Sequence, residues 1–87
     1  MKTAFTKHAL RKQEILRELG WGISLKFVEE TIRKPHFTGK TRYGQPTAIS
    51  LLDKEYILRV VYEERSGIIT VITFHVARRG KYNTPKE

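Results

Sequence analysis

The sequence predicts an α+β domain in which two N-terminal helices pack on an antiparallel sheet of three to four strands. Three observations carry this expectation. Apolar residues follow helical spacing before Pro35 and strand-like spacing after it. Two runs rich in Ile, Val, Tyr and Thr, at 56–64 and 68–76, are joined by a short segment ending in glycine. The 87 residues suffice for one domain and are too few for two, so a single domain covers residues 1–87.

Thr6 is placed to cap a helix over residues 7–19, with Leu10, Ile15, Leu16 and Leu19 as its apolar stripe. Gly20 can end that helix in a left-handed conformation. Trp21-Gly22-Ile23 then reads as a linker. Ser24 caps a second helix over 25–34, with Leu25, Val28 and Ile32 on one face and Phe27 at its edge. Arg33 and Lys34 suit the negative end of the helix dipole, and Pro35 stops the helix. Residues 37–45 are basic and turn-like, with a short strand possible at 40–43 and Gly39 and Gly44 marking a loop. A further strand is expected at 47–52, and Asp53-Lys54-Glu55 reads as a turn.

Arg65-Ser66-Gly67 has the pattern of a three-residue hairpin loop, a type I turn followed by a left-handed glycine. That loop pairs Glu64 with Ile68, Tyr62 with Thr70, Val60 with Ile72 and Leu58 with Phe74. Facing residues share a side of the sheet. Leu58, Val60, Ile72 and Phe74 then form an apolar face for the helices. Ile57, Arg59, Val61, Val71, Thr73 and His75 form the opposite, mixed face.

Charge bounds the partners. Seventeen Lys and Arg stand against nine Asp and Glu, a net charge of +8. Such a domain attracts phosphate backbones or acidic proteins. There is no cysteine, which rules out disulfides and thiolate chemistry and fits a cytoplasmic location. No apolar run approaches the roughly 18 residues of a membrane span, and the opening residues lack the pattern of a signal peptide. No phosphate-binding glycine loop, HExxH sequence or metal-spaced His and acid cluster is present, so neither cofactor nor metal is expected.

Chemistry must then rest on Arg, Lys, His and Tyr. Arg59 interrupts an apolar strand and needs an anion or water. It can salt-bridge Glu63, Glu64 or a helix carboxylate, or clamp a phosphate with its planar guanidinium. His75, near it on the same expected face, is either a packed bystander or a general acid or base. Arg78, Arg79 and Lys81 with Tyr82 form a basic cluster able to track a backbone and stack a base, or else a solvated tail. Lys40, Arg42 and Tyr43 form a second such cluster. His8, in the first turn of the first helix, reads as structural, and His36 has no partner visible in sequence.

Together Phe5-Thr6-Lys7-His8-Ala9, Arg33-Lys34-Pro35, the run 58–64, Val71-Ile72-Thr73-Phe74 and the basic Arg78-Arg79 with Tyr82 resemble small domains related to the RelE/ParE/BrnT toxin superfamily. The resemblance spans nearly the whole chain. It implies two helices on a curved antiparallel sheet and a toxin whose basic face is covered by an acidic antitoxin protein. In RelE-type members it further implies a metal-free endoribonuclease acting on mRNA in the ribosomal A site, with Arg59 as the strand arginine, Arg78 and Tyr82 in the C-terminal set, and His75 beside them. ParE-like members share the fold, inhibit DNA gyrase and cut nothing. A non-catalytic binding module is therefore the alternative expectation.

Overall fold

The computed structural model describes residues 2–81. The chain runs β1 (Lys2–Phe5), α1 (Lys7–Glu18), α2 (Leu25–Arg33), β2 (Phe37–Lys40), β3 (Pro46–Leu51), β4 (Tyr56–Arg65) and β5 (Ile68–Arg78). The α+β class is as expected. The sheet is larger than expected and not wholly antiparallel: five strands in the order β1-β5-β4-β3-β2, with β1 parallel to β5. A strand therefore precedes the helices. Its four residues, Lys-Thr-Ala-Phe, are too short a run for period-two alternation to stand out.

Both helices start where their caps place them. The Thr6 and Ser24 hydroxyls accept the N–H groups of Ala9 and Phe27 at 3.1 and 3.0 Å. Gly20 takes φ +94°, and the α1–α2 linker is pinned by the Gln13 amide donating to the Ile23 carbonyl at 2.9 Å. The helices lie on one face of the sheet, over Leu58, Val60, Val71 and Phe74. α1 contributes Ala9 and Leu16 to this core; Leu10, Ile15 and Leu19, expected in its stripe, are exposed. α2 contributes Val28, with Phe27 and Ile32 at the margin. The buried Thr31 hydroxyl donates to the Phe27 carbonyl and meets the Ser50 hydroxyl of β3 at 2.8 Å, so this polar contact is internally satisfied.

The β4–β5 hairpin differs from the expected register. Arg65 pairs with Ile68, leaving a two-residue loop, Ser66-Gly67, with φ +51° and +78°. Both signs are those of a type I′ turn, whose twist matches the strands. The expected three-residue geometry occurs at the other hairpin, Arg42-Tyr43-Gly44. There Gly44 takes φ +82° and donates to the Thr41 carbonyl at 2.9 Å, and the Thr41 N–H reaches the Gln45 carbonyl at 2.9 Å. The strand at 40–43 is accordingly replaced by a turn, and β2 lies earlier, with Gly39 inside it.

A second irregularity follows along the hairpin. Tyr62 pairs with Val71 and Val61 with Thr73, so Ile72 is an extra residue in β5. A bulge of this kind sends two successive side chains to one side. Leu58, Val60 and Phe74 lie under the helices as expected. Ile72 does not, and Val71 takes its place there, because the bulge reverses the alternation between them.

Candidate nucleic-acid interface

The face of the sheet away from the helices carries the site. Its pairings form two rows across four strands. One row is Phe37, Ile49, Arg59 and His75; the next is Gly39, Thr47, Val61 and Thr73. Ile49, Ile57 and Val61 are buried on this face, which lies opposite the described helices, so its floor is apolar. Charges above an apolar floor are screened less than charges in bulk water.

Arg59 and His75 are direct cross-strand partners at the centre of this floor. Glu63 and Glu64 lie at the exposed hairpin end, roughly 13 Å or more along β4 from Arg59 at the usual strand rise. His75 is half-buried, and its pKa is pushed down to about 4. Burial is the largest cause, followed by the charges of Arg59, Lys12 and Lys81. The imidazole is neutral at pH 7 and sits in a field that favours an anion.

Two open cavities adjoin Arg59. One, of about 380 Å³, is lined by the edge strand β2 with Thr47, Ile49, Arg59 and Lys81. Gly39 helps keep it open: a Cβ there would come within 3.3 Å of the Thr47 Oγ1. The other, of about 370 Å³, lies between the β2–β3 turn and the bulge, with Val61, Ile72 and Thr73 among its lining. Lys40 and Arg59 belong to both. No Asp or Glu lines either cavity among the described residues. His75 lines neither; it is the neighbour of Arg59 on the β5 side.

The structure thus brings together Arg59, His75, Lys40, Arg42, Tyr43 and Lys81. It sets Arg78 and Arg79 apart. Arg78 lies over the Tyr56 ring at 5.4 Å and pairs with Glu55 at 3.4 Å. Tyr56 packs edge-on to Trp21 at the margin of the helix-side core, so Arg78 serves that side. Arg79 is only 8% exposed, so little of it is offered to a partner. Tyr82 lies outside the described residues. His8 is exposed on α1, and His36 is structural: its Nδ1 accepts the Leu51 N–H at 3.2 Å.

Lys12, Thr47 and Gln45 were not singled out by sequence. Lys12 reaches the site's field from a helix, a juxtaposition no local pattern encodes. Among the described residues no three His, Cys, Asp or Glu side chains cluster as a metal site would require, and no helix is long and apolar enough to cross a membrane. No family model, curated protein or solved structure matches the chain.

Proposed function

We propose that this protein is the toxin component of a toxin–antitoxin pair and acts as a metal-independent endoribonuclease on mRNA. The observation that carries the reading is the Arg59–His75 pair, opposed on the face away from the described helices, among lysines and beside two cavities with no carboxylate among their described lining. RNA supplies its own nucleophile. In the proposed step the 2′-oxygen attacks phosphorus and its proton passes to the neutral His75. The bond from phosphorus to the 5′-oxygen then breaks, leaving a 2′,3′-cyclic phosphate. Arg59 stabilises the extra negative charge on the phosphoryl oxygens, where a fixed guanidinium outperforms water. Tyr82, outside the described residues, is the sequence's candidate for returning a proton to the leaving oxygen.

A pKa near 4 would make His75 a weak base. A bound phosphate offsets the charges of Arg59, Lys12 and Lys81 and moves that pKa upward, with the larger effect of burial left in place, so the substrate itself makes His75 a better base. The cationic face also suits an acidic antitoxin protein, which would compete with RNA for it. The second reading is a non-catalytic binding module. It is favoured by one observation: His75 lines neither cavity, which leaves the cavities with binding groups alone.

The test is cleavage of single-stranded RNA by purified protein in the presence of a chelator. Cyclic phosphate ends are expected. Arg59→Ala should slow cleavage by about 100-fold or more, with His75→Ala also impaired and Arg65→Ala, at the hairpin tip, near wild type. Equal losses in Arg59→Ala and Arg65→Ala would mean generic charge. Tight binding without cleavage would select the binding module.

A further inference from the structure

We infer that the cavity between the β2–β3 turn and the β5 bulge is a nucleobase subsite, so that the preferred ligand is an unpaired RNA strand with one base stacked on Tyr43. The inference rests on the phosphate-binding reading of Arg59 and deepens it.

Three features of the cavity argue for a base rather than a second phosphate. Its floor is apolar. Because of the bulge, Ile72 joins Thr73 on this side, and Ile72 and Val61 give the floor its nonpolar surface, with the Thr73 hydroxyl at its margin. Its wall is aromatic. Tyr43 is 80% exposed at the tip of the turn, an unusual position for a large ring. The Arg42 guanidinium lies 5.7 Å from the ring centroid, a cation–π contact that helps hold the ring while leaving most of it open. Its rim offers Gln45 and Thr73 as hydrogen-bonding groups for a base edge.

The turn is also built to hold its shape. The Thr41 hydroxyl accepts from the N–H groups of Tyr43 and Gln45, both at 3.2 Å, and donates to the Gln45 Oε1 at 3.4 Å. Gly44 supplies the left-handed residue. Tyr43 is therefore presented on a braced turn, which lowers the cost of ordering it on binding.

Lys40 and Arg59 are shared with the neighbouring cavity. A phosphodiester held there has one nucleoside in the Tyr43 cavity and the next against Phe37 and Ile49. Paired bases stack on each other and hide their faces, so a duplex cannot offer a base to the ring.

The test compares fluorescein-labelled single-stranded RNA hexamers with an abasic ribose-phosphate hexamer of the same charge and with a blunt-ended RNA duplex. Binding is measured by anisotropy at fixed salt. Wild type should prefer the base-bearing strand over the abasic one by roughly tenfold. Tyr43→Ala should erase that preference while leaving abasic binding unchanged, and Tyr43→Phe should keep it. Tyr43 is exposed, and circular dichroism verifies that the variant stays folded. Equal wild-type affinity for both hexamers, with Arg59→Ala weakening each, would overturn the base subsite and leave phosphate binding standing. Binding that Arg59→Ala does not weaken, or no binding to any probe, would overturn both. A wild-type preference for the duplex would also overturn the inference.

Discussion

At the scale of single residues, His75 gives the most direct readout of the site. Its pKa of about 4 reflects burial first and then Arg59, Lys12 and Lys81. Removing the nearest positive charge must raise it, so the His75 ring resonances in Arg59→Gln should titrate at higher pH than in wild type. Added single-stranded RNA should move the midpoint the same way. Both are measured by NMR titration, and an unchanged midpoint in Arg59→Gln would show that the guanidinium does not act on the ring. The same shift couples to folding. The folded pKa lies below the ordinary value of 6.5, so the unfolded chain binds the proton first as pH falls. The contribution of a neutral His75 to stability is complete above about 6.5 and is lost progressively toward pH 4. Denaturant midpoints should fall across that window in wild type and fall less in His75→Gln. His75 was legible as a candidate because Arg59 and His75 have matching parity in adjacent strands. Its depressed pKa was not, since burial and the approach of Lys12 arise only once the chain has folded.

At the scale of elements, the β5 bulge matters most, and Thr6 is the residue tied to it. The Thr6 hydroxyl caps α1 and also donates to the Ile72 carbonyl at 2.8 Å, while the Thr6 N–H donates to the Val71 carbonyl at 3.1 Å. One side chain thus fixes the start of a helix and satisfies a carbonyl of the bulge. Thr6→Ala should destabilise the fold by about 1–2 kcal/mol, measured by urea denaturation, and Thr6→Ser should recover most of it. If the alanine variant matched wild type, the cap and the carbonyl bond would be energetically idle. The cap itself was readable from sequence, as were the ends of α1 and α2, because capping is a local contest between side chain and backbone. The bulge was not readable. Ser66-Gly67 fits a two-residue turn and Arg65-Ser66-Gly67 fits a three-residue one, and the choice moves the register by one. The bulge then moves it by one more, which returns Leu58, Val60 and Phe74 to the expected face while exchanging Ile72 for Val71. β1 was missed because its partner lies at the far end of the chain and its four residues carry little pattern of their own.

At the scale of the whole molecule, a net charge of +8 says that an anion is welcome but not where. Folding supplies the location. Lys40, Arg59 and Lys81 line one cavity and Arg42 joins Lys40 and Arg59 in the other, so four cations meet on one face, and no carboxylate lines either cavity among the described residues. Elsewhere, Arg17, Arg33 and Arg78 pair with Glu14, Glu30 and Glu55, and Arg65 is at the hairpin tip. A patch and a diffuse cloud of charge differ in their salt dependence. Each phosphate neutralised on a single strand releases part of a counterion, giving a slope of about −0.7 in log affinity against log salt. Four contacts predict a slope near −3 and a loss of about 50-fold between 50 and 200 mM salt. Lys40→Ala, Arg42→Ala and Lys81→Ala should each reduce the slope by about 0.7, whereas Arg65→Ala should leave it unchanged. Anisotropy titrations at four salt concentrations decide the matter. Should Arg65→Ala flatten the slope as much as Lys81→Ala, the net charge of the molecule, and not this face, would be what the RNA senses.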